Sequence, residues 1–491
     1  MFKYKFLSLI LCVALIIPLV GCGDKSSEAY LYVELPTLPT ALDPQTAEST
    51  TDLLIVRNIF EGLMRKNSKG EVVEGAAESF EKNGLTYTFT LRDGILWSNG
   101  EVVTADDFVF GFRRALKPET KAPFASRLYA IKNAEEVNTG KLSADNLGVA
   151  ALDEKTVKID LKYDDSAFLE NLTTSVAMPC NERFFKESAG KYGLFRENII
   201  CNGSYRLTKW NKESFVIRLY RNEEYNGEYK ANNAAVFLTC DKDTPVTEKL
   251  ADGDVDLAFV DSNNSYSLEN AGLSVINIQN ICWFLTVNSD FSKDMRTSLF
   301  KLIGNFEDRN DGYTHADSIY PKISGINAKG VGMTDYDLSG GKDLFITEVK
   351  KLEGAKFPSN VTLRYYDNGY IDAYVTDIVG HWQNHLSAFV NIAPVANAED
   401  LLPQLKTQTL QMAIFPVNFS SKNYTEYLEN FNISDFSKSP ADLQSEVLSS
   451  KNVLPIFFQN TTLCYSREIS EIFTTEDNGY IDFAFIVKNP D

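Results

Sequence analysis

The clearest pattern of apolar and polar residues in this chain runs from Ala76 to Leu116. In its first part the two types alternate strictly, with Tyr87, Phe89 and Leu91 on one face and threonines on the other. Such alternation predicts a strand with one buried face. The Asp93-Gly94 pair that follows predicts a turn, which ends the strand.

A capped helix is predicted shortly after this strand. Thr104 precedes the next apolar run and Asp107 stands three residues later, which is the spacing of a capping box. Phe108, Phe112 and Ala115 then recur at the helical period. Strand, turn and capped helix together form a strongly specified local unit.

Similar patterns predict further elements along the chain. We expect strands at 30–35, 156–161, 215–219, 257–260, 360–366 and 390–394, and helices at 54–63, 344–352 and 371–386. Helices and strands alternate in the last third of the chain, which predicts a mainly parallel sheet covered by helices.

The N-terminal residues have the pattern of a secretory leader. Two lysines precede an apolar run, Phe6–Val20, that is too short to span a membrane comfortably. The run ends in Leu-Val-Gly-Cys22, which resembles the cleavage motif of bacterial lipoproteins. We therefore expect a lipoprotein signal peptide at 1–21, a lipidated Cys22 and a tether at 22–29. The chain would then lie outside the cytoplasm, anchored by lipid to the outer face of the cytoplasmic membrane. The alternative is an ordinary secretory signal that happens to contain Cys22.

Composition narrows the classes of function. The chain has 491 residues, of which 44% are hydrophobic and 12% aromatic, so two or three domains with large cores are expected. Its formal net charge is −19. This acidity argues against a nucleic-acid partner, because proteins that bind nucleic acids carry a basic patch.

Three sequence blocks follow one another closely: Phe89-Thr90-Leu91-Arg92-Asp93-Gly94, Trp97-Ser98-Asn99-Gly100 and Val103-Thr104-Ala105-Asp106-Asp107-Phe108. In this order and spacing they resemble the oligopeptide-binding type of family 5 extracellular solute-binding proteins, which are the capture subunits of ABC importers. Leu42-Asp43-Pro44, Phe60-Glu61-Gly62-Leu63 and Asn202-Gly203-Ser204-Tyr205 extend the match. The resemblance covers nearly the whole chain after the leader, and it is dense over 42–260 and thin over 290–340.

This resemblance implies an α/β, two-lobed periplasmic-binding-protein-like fold of type II, with three domains, mixed sheets and a hinge of two crossings. Domain I is expected at 30–64, 200–275 and 455–491, domain II as an insertion at 65–199, and domain III, the opposite lobe, at 276–454. The hinge is expected near 273–281 and 453–458. A bound solute then closes the lobes, because its contacts to both of them stabilise the closed form.

The resemblance also implies a function: a monomer captures a short peptide between its lobes and hands it to ABC permease subunits. A peptide held as an added strand gains affinity from main-chain hydrogen bonds, while hydrated pockets accept varied side chains. The candidate ligand contacts are Glu48, Ser49, Thr50, Phe124, Phe415, Pro416, Val417, Asn418, Ser420, Phe457 and Phe458. The alternatives are a plain surface turn for 48–50 and core packing for the aromatic residues.

One departure from the family concerns the ligand. Family members place an acidic residue in the opposite lobe to pair with the free amino group of the peptide. The corresponding position here is Ser420 or Asn418, and no Asp or Glu occurs from Leu401 to Thr425. Because a buried ammonium without a counter-charge is costly, either another acid such as Glu48 replaces it, or the solute is N-blocked or not a peptide. A degenerate surface lipoprotein that binds a partner or signals is a further alternative.

No catalytic motif is evident, so neither an enzyme nor a cofactor is expected. His381 and His385 have a helical spacing that can hold a metal, but the glutamate that zinc hydrolases place beside the first histidine is missing. An exposed helix face is the plainer interpretation. Five cysteines lie beyond Cys22, an odd number, and both a Cys180–Cys201 disulfide and buried free thiols are open.

Overall fold

A computed structural model describes most of the chain from Ala29 onward. The described residues are 29–211, 215–241, 243–261, 265–304, 313–324, 326–368, 371–396, 401, 410–419, 428, 431, 433, 438–472, 474–475 and 480–489. The predicted signal peptide, Cys22 and Ser420 lie outside them.

The described residues contain eleven α-helices and twenty-one strands. The helices are α1 Thr50–Ile59, α2 Ala105–Leu116, α3 Ala134–Asn138, α4 Phe168–Asn171, α5 Glu182–Glu187, α6 Val246–Asp252, α7 Ser265–Asn270, α8 Lys293–Lys301, α9 Leu338–Val349, α10 Asp372–Leu386 and α11 Pro440–Ser449. The strands are β1 Tyr30–Glu34, β2 Met64–Lys66, β3 Val72–Glu74, β4 Ala77–Asn83, β5 Thr86–Leu91, β6 Val149–Ala151, β7 Thr156–Asp160, β8 Tyr205–Asn211, β9 Val216–Arg221, β10 Ala235–Thr239, β11 Leu257–Asp261, β12 Ser274–Val287, β13 Tyr313–His315, β14 Thr362–Tyr366, β15 Asn391–Val395, β16 Met412–Asn418, β17 Val453–Tyr465, β18 Ile469–Glu471, β19 Thr474–Thr475, β20 Tyr480–Ile481 and β21 Val487–Lys488. None of the described helices combines the length and the apolar character needed to cross a membrane.

The local prediction for the opening unit is confirmed. Strand β5 buries Tyr87 and Phe89 on one face, and α2 begins after Thr104 as expected. The Thr104 amide donates to Asp107 Oδ2 at 3.0 Å, and Trp97 Nε1 donates to the same oxygen at 2.9 Å. The Asp107 carboxylate therefore joins the tryptophan turn to the helix start.

The helix predicted at 54–63 begins earlier than expected, at Thr50. Ser49 is its N-cap, since the Ser49 hydroxyl accepts a hydrogen bond from the Asp52 amide at 3.1 Å. The predicted start followed the apolar residues and missed this polar first turn.

The largest sheet has eleven strands in the order β15-β14-β16-β12-β17-β11-β1-β10-β9-β8, with β13 beside β17. Strand β1 is parallel to β10 and β11, and β14 is parallel to β15 and β16. The remaining pairs in this sheet are antiparallel. The prediction of parallel pairing in the last third is confirmed for β14 with β15 and β16, whereas β16 and β17 each run antiparallel to β12.

Strands β12 and β17 connect the two halves of this sheet. They pair with each other from Ser274 beside Tyr465 to Thr286 beside Val453. The second half of β17 lies between β11 and the first half of β12, whereas the second half of β12 lies between β17 and β16. The chain thus passes from one half to the other near residue 280, on the strands where the hinge was predicted.

Alternating side chains of β12 enter different cores. Trp283 and Leu285 belong to a cluster with Trp382, on one face of the sheet. Cys282 and Phe284 belong to a second cluster on the other face. This is the period of two expected for a strand buried on both faces. A third and larger core surrounds α1, α2 and the first strands.

Candidate functional site

Parallel strands β1, β10 and β11 all end at the edge of the sheet that faces the crossing. Glu34 ends β1 beside Thr239 and Ala258, and β11 continues to Asp261 beside Thr461. Ligands of open α/β sheets bind at the carboxyl ends of such strands. A ligand site is therefore expected at this edge of the sheet.

The predicted contacts Glu48, Ser49 and Thr50 lie in the connection that leaves this edge, at the N-terminus of α1. The side chains of Glu48 and Thr50 are exposed. Ser49 uses its hydroxyl to cap the helix. The Glu48 carboxylate is thus available to a ligand, while the Ser49 side chain already has a structural role.

The connection from β1 to α1 is fixed by a residue of α2. Arg114 Nη1 donates to Asp43 Oδ1 at 2.7 Å and also to Gln45 Oε1, and Arg114 Nη2 donates to Asp43 Oδ2. Gln45 Nε2 donates to the carbonyl of Met178 at 2.9 Å. These groups are buried. They hold the chain in place five residues before Glu48.

The environment of Arg114 keeps its guanidinium charged. Burial lowers the pKa of Arg114, but the hydrogen bond and charge of Asp43 outweigh it, so the net pKa is raised. The guanidinium carbon also lies 4.3 Å from the ring centre of Phe185 and 5.3 Å from that of Tyr192. The Arg114 guanidinium therefore stays charged in a buried contact.

The cysteine alternatives are resolved in favour of free thiols. All five described cysteines, Cys180, Cys201, Cys240, Cys282 and Cys464, are buried thiols that form no disulfide. Burial raises the pKa of the Cys180 thiol to about 12. This thiol is therefore protonated, and thus unreactive, at neutral pH.

A β-bulge lies where β12 and β17 cross between the two halves of the sheet. Gln279 pairs with Asn460 and Ile281 pairs with Gln459, which leaves Asn280 as the extra residue. A bulge bends its strand and re-aims a side chain. Here it turns the backbone and side chain of Asn280 toward two neighbouring strands.

Asn280 joins three strands through its side chain and its carbonyl. Asn280 Oδ1 accepts from Thr461 Oγ1 at 2.9 Å, and Asn280 Nδ2 donates to Asn418 Oδ1 at 3.4 Å. Its carbonyl accepts from the Phe419 amide at 2.7 Å. The residue is 8% exposed, so these hydrogen bonds replace contacts with water.

Further amide and hydroxyl groups surround the bulge and make up a polar cluster at the crossing. The contacts are Gln279 Nε2 to Thr314 Oγ1 (3.1 Å), Lys322 N to Gln279 Oε1 (2.9 Å), Thr462 Oγ1 to Asn277 Oδ1 (2.5 Å) and Trp283 Nε1 to Gln459 Oε1 (2.7 Å). Apolar cores lie on both sides of this polar cluster.

Among the predicted contacts that the structure describes, which exclude Ser420, only Asn418 joins the polar cluster, and its side chain is exposed. Phe415, Val417, Phe457 and Phe458 are buried in the cores of the sheet, and Pro416 is half-buried. Phe124 is half-buried with Arg127 stacked on its ring at 5.3 Å. Contact of these residues with a ligand stays a prediction.

Sequence reasoning missed Asn280, Thr461 and Arg114. A signal for Asn280 exists, since Gln279-Asn280 places two polar residues in succession inside an alternating strand. Arg114 gives no such signal, because its partner Asp43 lies 71 positions away. His381 and His385 lie with ring centres 5.4 Å apart on α10. No group of three metal-binding side chains occurs among the described residues.

Comparisons with known proteins agree with this geometry. Residues 71–303 match the model for bacterial extracellular solute-binding proteins, family 5 Middle. The oligopeptide-binding protein OppA of Bacillus subtilis is 35% identical over 235 residues, which are 45% of this chain and 43% of that protein. That match thus spans less than half the length of the relative. The dipeptide-binding protein DppE of Bacillus subtilis is 25% identical, with 96% of this chain and 94% of that protein covered.

A solved structure confirms the fold. The structure described as the pheromone receptor PrgZ and its mode of peptide binding has a TM-score of 0.77 and 20% identity, with 94% of this chain and 100% of that chain covered. The type II solute-binding fold and the resemblance to the oligopeptide-binding type are therefore both confirmed.

Proposed function

We propose that this chain, which resembles the family 5 extracellular solute-binding proteins of the oligopeptide-binding type, captures short peptides between two lobes and delivers them to an ABC permease. The observation that carries the proposal is the family match over residues 71–303, on a chain whose fold follows a peptide-binding protein over 94% of its length. In this proposal the protein acts as a monomer outside the cytoplasm, and lipid on Cys22 anchors it to the membrane.

In this proposal the two lobes close about the crossing strands β12 and β17. Domain I (30–64, 200–275 and 455–491) with its insertion 65–199 forms one lobe, and 276–454 forms the other. The large sheet narrows to β12 and β17 between the cores, and the polar cluster around Asn280 occupies this point. A ligand that contacts both lobes stabilises the closed form by its differential affinity.

The site lies between the β1–α1 connection and the end of β16. Glu48 offers a carboxylate to the amino end of a peptide, and Asn418 offers an amide from the opposite side. The Arg114–Asp43 contact holds the connection in its conformation without ligand, which reduces the ordering cost of binding. In this proposal the buried aromatic residues Phe415, Phe457 and Phe458 support the walls of the cleft without touching the ligand.

A second candidate is an N-blocked peptide or a non-peptide solute in the same cleft. It is favoured by the lack of any acidic residue from 401 to 425, since a free ammonium buried there needs a counter-charge. A partner-binding lipoprotein without a solute is the third alternative.

Native mass spectrometry of residues 24–491 tests the proposal, because the described fold begins at Ala29 and this chain keeps all of it. A ladder of short peptides, identified after denaturation, supports peptide capture and shows whether their amino ends are free. A single non-peptide mass supports the second candidate. If no bound mass is found and peptide mixtures do not change the unfolding temperature, the third alternative is supported.

A further inference from the structure

One face of the large sheet is exposed along β1, β10, β9 and β8. Two cross-strand rows follow from the register: Tyr32, Phe237, Arg218 and Lys209 form one, and Tyr30, Ala235, Tyr220 and Arg206 form the other. Residues on the opposite face, such as Leu31 and Leu219, are buried in the core. Four side chains on this face are exposed and two, Lys209 and Phe237, are half-buried. We call the set Tyr30, Tyr32, Lys209, Arg218, Tyr220 and Phe237 the outer aromatic face.

The rings of the outer aromatic face pack on one another. Phe237 lies at the centre, with ring centres at 5.3 Å from Tyr30, 5.4 Å from Tyr32 and 6.0 Å from Tyr220. The three tyrosines are 46%, 39% and 39% exposed. Contiguous exposed aromatic surface of this kind marks an interaction site more often than scattered single residues do.

The charge of this face is opposite to that of the whole chain. Arg218 stacks on Phe237, with its guanidinium carbon 5.3 Å from the ring centre. Within the part of the chain that the structure describes, neither Arg218 nor Lys209 forms an ion pair, whereas Arg206 pairs with Glu224. A chain of net charge −19 thus shows two uncompensated cations beside four aromatic rings.

The outer aromatic face begins where the tether ends. Tyr30 is the first residue of β1, and eight residue steps separate it from Cys22. An extended chain covers at most about 3.5 Å per step, so Tyr30 lies within about 28 Å of Cys22. A compact chain of this length is roughly 60 Å across. A lipid on Cys22 therefore keeps this end of the molecule near the bilayer and leaves distant surfaces out of reach.

We infer that the outer aromatic face rests on the surface of an anionic bilayer. Tyrosine rings are enriched at the level of lipid headgroups, where an apolar ring ends in a polar hydroxyl. Lys and Arg side chains are attracted to anionic lipids within a Debye length of the surface. The inference rests on the proposed anchor at Cys22. Its consequence is that the lobe carrying β1 is held against the membrane while the opposite lobe stays free to move.

The experiment imposes the anchor chemically, so that a failure of lipidation in cells does not affect it. Residues 22–491 are coupled through the Cys22 thiol to maleimide lipids, a reaction that the five buried cysteines do not compete with. Vesicles contain phosphatidylcholine alone or with phosphatidylglycerol. Hydroxyl-radical footprinting then measures the oxidation of Tyr30, Tyr32 and Tyr220 against protein coupled to a soluble maleimide.

We expect oxidation of these three tyrosines to fall several-fold on phosphatidylglycerol vesicles. Tyr163 and Tyr336, which are 51% and 41% exposed elsewhere on the chain, serve as internal controls and keep their oxidation rates. The variant Lys209→Glu/Arg218→Glu should lose the protection. The control Lys69→Glu/Lys141→Glu, which reverses two exposed lysines elsewhere on the chain, should retain it.

Three results would overturn the inference. Unchanged oxidation on both vesicles means that the face does not touch the membrane. Equal protection on phosphatidylcholine alone means that anionic lipid is not recognised. Protection that appears only after permease is added assigns the face to a protein partner instead.

Discussion

Arg114 and Asp43 form a two-pronged ion pair across 71 positions of the chain, with Arg114 Nη1 at 2.7 Å from Asp43 Oδ1 and Nη2 bound to the other carboxylate oxygen. Both side chains are under 10% exposed. The contact joins α2, which lies in the predicted insertion 65–199, to the connection that ends at Glu48. It thus couples α2 to the candidate ligand edge.

Replacing Arg114 by alanine should lower stability by about 3–5 kcal/mol, because Asp43 would be left as a buried, unpaired charge. Peptide affinity should fall as well, since the connection before Glu48 loses its anchor. Urea unfolding and calorimetric titration measure the two effects.

The neighbouring Arg113 provides the matched control for Arg114. It is 34% exposed, and it lies 3.5 Å from Asp145, which is 84% exposed. Arg113→Ala should therefore lower the free energy of unfolding by about 0–1 kcal/mol. Equal losses in the two variants would refute a special role for Arg114.

The contrast between local and distant contacts explains what could be predicted from sequence. Alternation in β5 and the Thr104–Asp107 spacing carry their own signals, and both were predicted correctly. Asp43 lies in a motif that resembles the family, but its contact with Arg114 depends on how α2 packs. No local sequence pattern encodes that packing. The parallel pairs of β14 follow from the alternation of helix and strand, whereas the antiparallel return of β17 along β12 is non-local and was not predicted.

Removing the side-chain amide of Asn280 should alter both stability and lobe closure. Asn280→Ala removes the side-chain hydrogen bonds to Thr461 and Asn418, and the loss of a typical hydrogen bond costs about 0.5–1.5 kcal/mol. Because these bonds join the strands at the crossing, we also expect a changed affinity for ligand. Chemical unfolding and small-angle scattering with and without peptide report the two effects.

Asn460→Ala is the control for the crossing. Asn460 lies on β17 beside Gln279 and has no side-chain hydrogen bond to the described residues. Its replacement should change the free energy of unfolding by well under about 1 kcal/mol. If both variants closed on peptide like the unmodified protein, the bulge would have no part in the hinge.

Glu48→Gln tests whether this carboxylate replaces the missing acidic anchor. Affinity for peptides with a free amino end should fall about tenfold, which corresponds to about 1.4 kcal/mol, while affinity for acetylated peptides should not change. Calorimetric titration with matched peptide pairs measures the difference. Glu119→Gln, at an exposed position after α2, controls for the loss of one negative charge. Equal loss for both kinds of peptide would remove Glu48 from the role.

The Asp107 carboxyl gives a prediction for pH dependence. Burial raises the pKa of Asp107 above 3.8, against the lowering effect of hydrogen bonds from Thr104 and Trp97. The folded state therefore takes up this proton at a higher pH than the unfolded state does. The contribution of Asp107 to stability must then rise as pH falls through its folded pKa, and it levels off below 3.8.

Unfolding of the unmodified protein and of Asp107→Asn at several pH values measures this contribution by difference. As pH falls from 7 to 4, the free energy of unfolding of the unmodified protein should increase relative to that of Asp107→Asn, because only the unmodified protein has the titrating carboxyl group. Asp106→Asn, at the exposed neighbouring position, is the matched control. A difference that is flat, or that moves the other way, would contradict the raised pKa.

The lipid anchor can be tested with the two cysteines nearest the N-terminus. Cys22→Ala should abolish labelling by radioactive palmitate and move the protein from the membrane fraction to the soluble or secreted fraction, because the thiol is the acceptor of the lipid. Cys12→Ala, in the apolar run before the cleavage motif, should leave both unchanged. Stable anchoring takes more than one acyl chain, so a partial shift with Cys22→Ala would point to a second attachment. Continued labelling of that variant would contradict the proposed anchor, while the coupled protein would still report on the outer aromatic face.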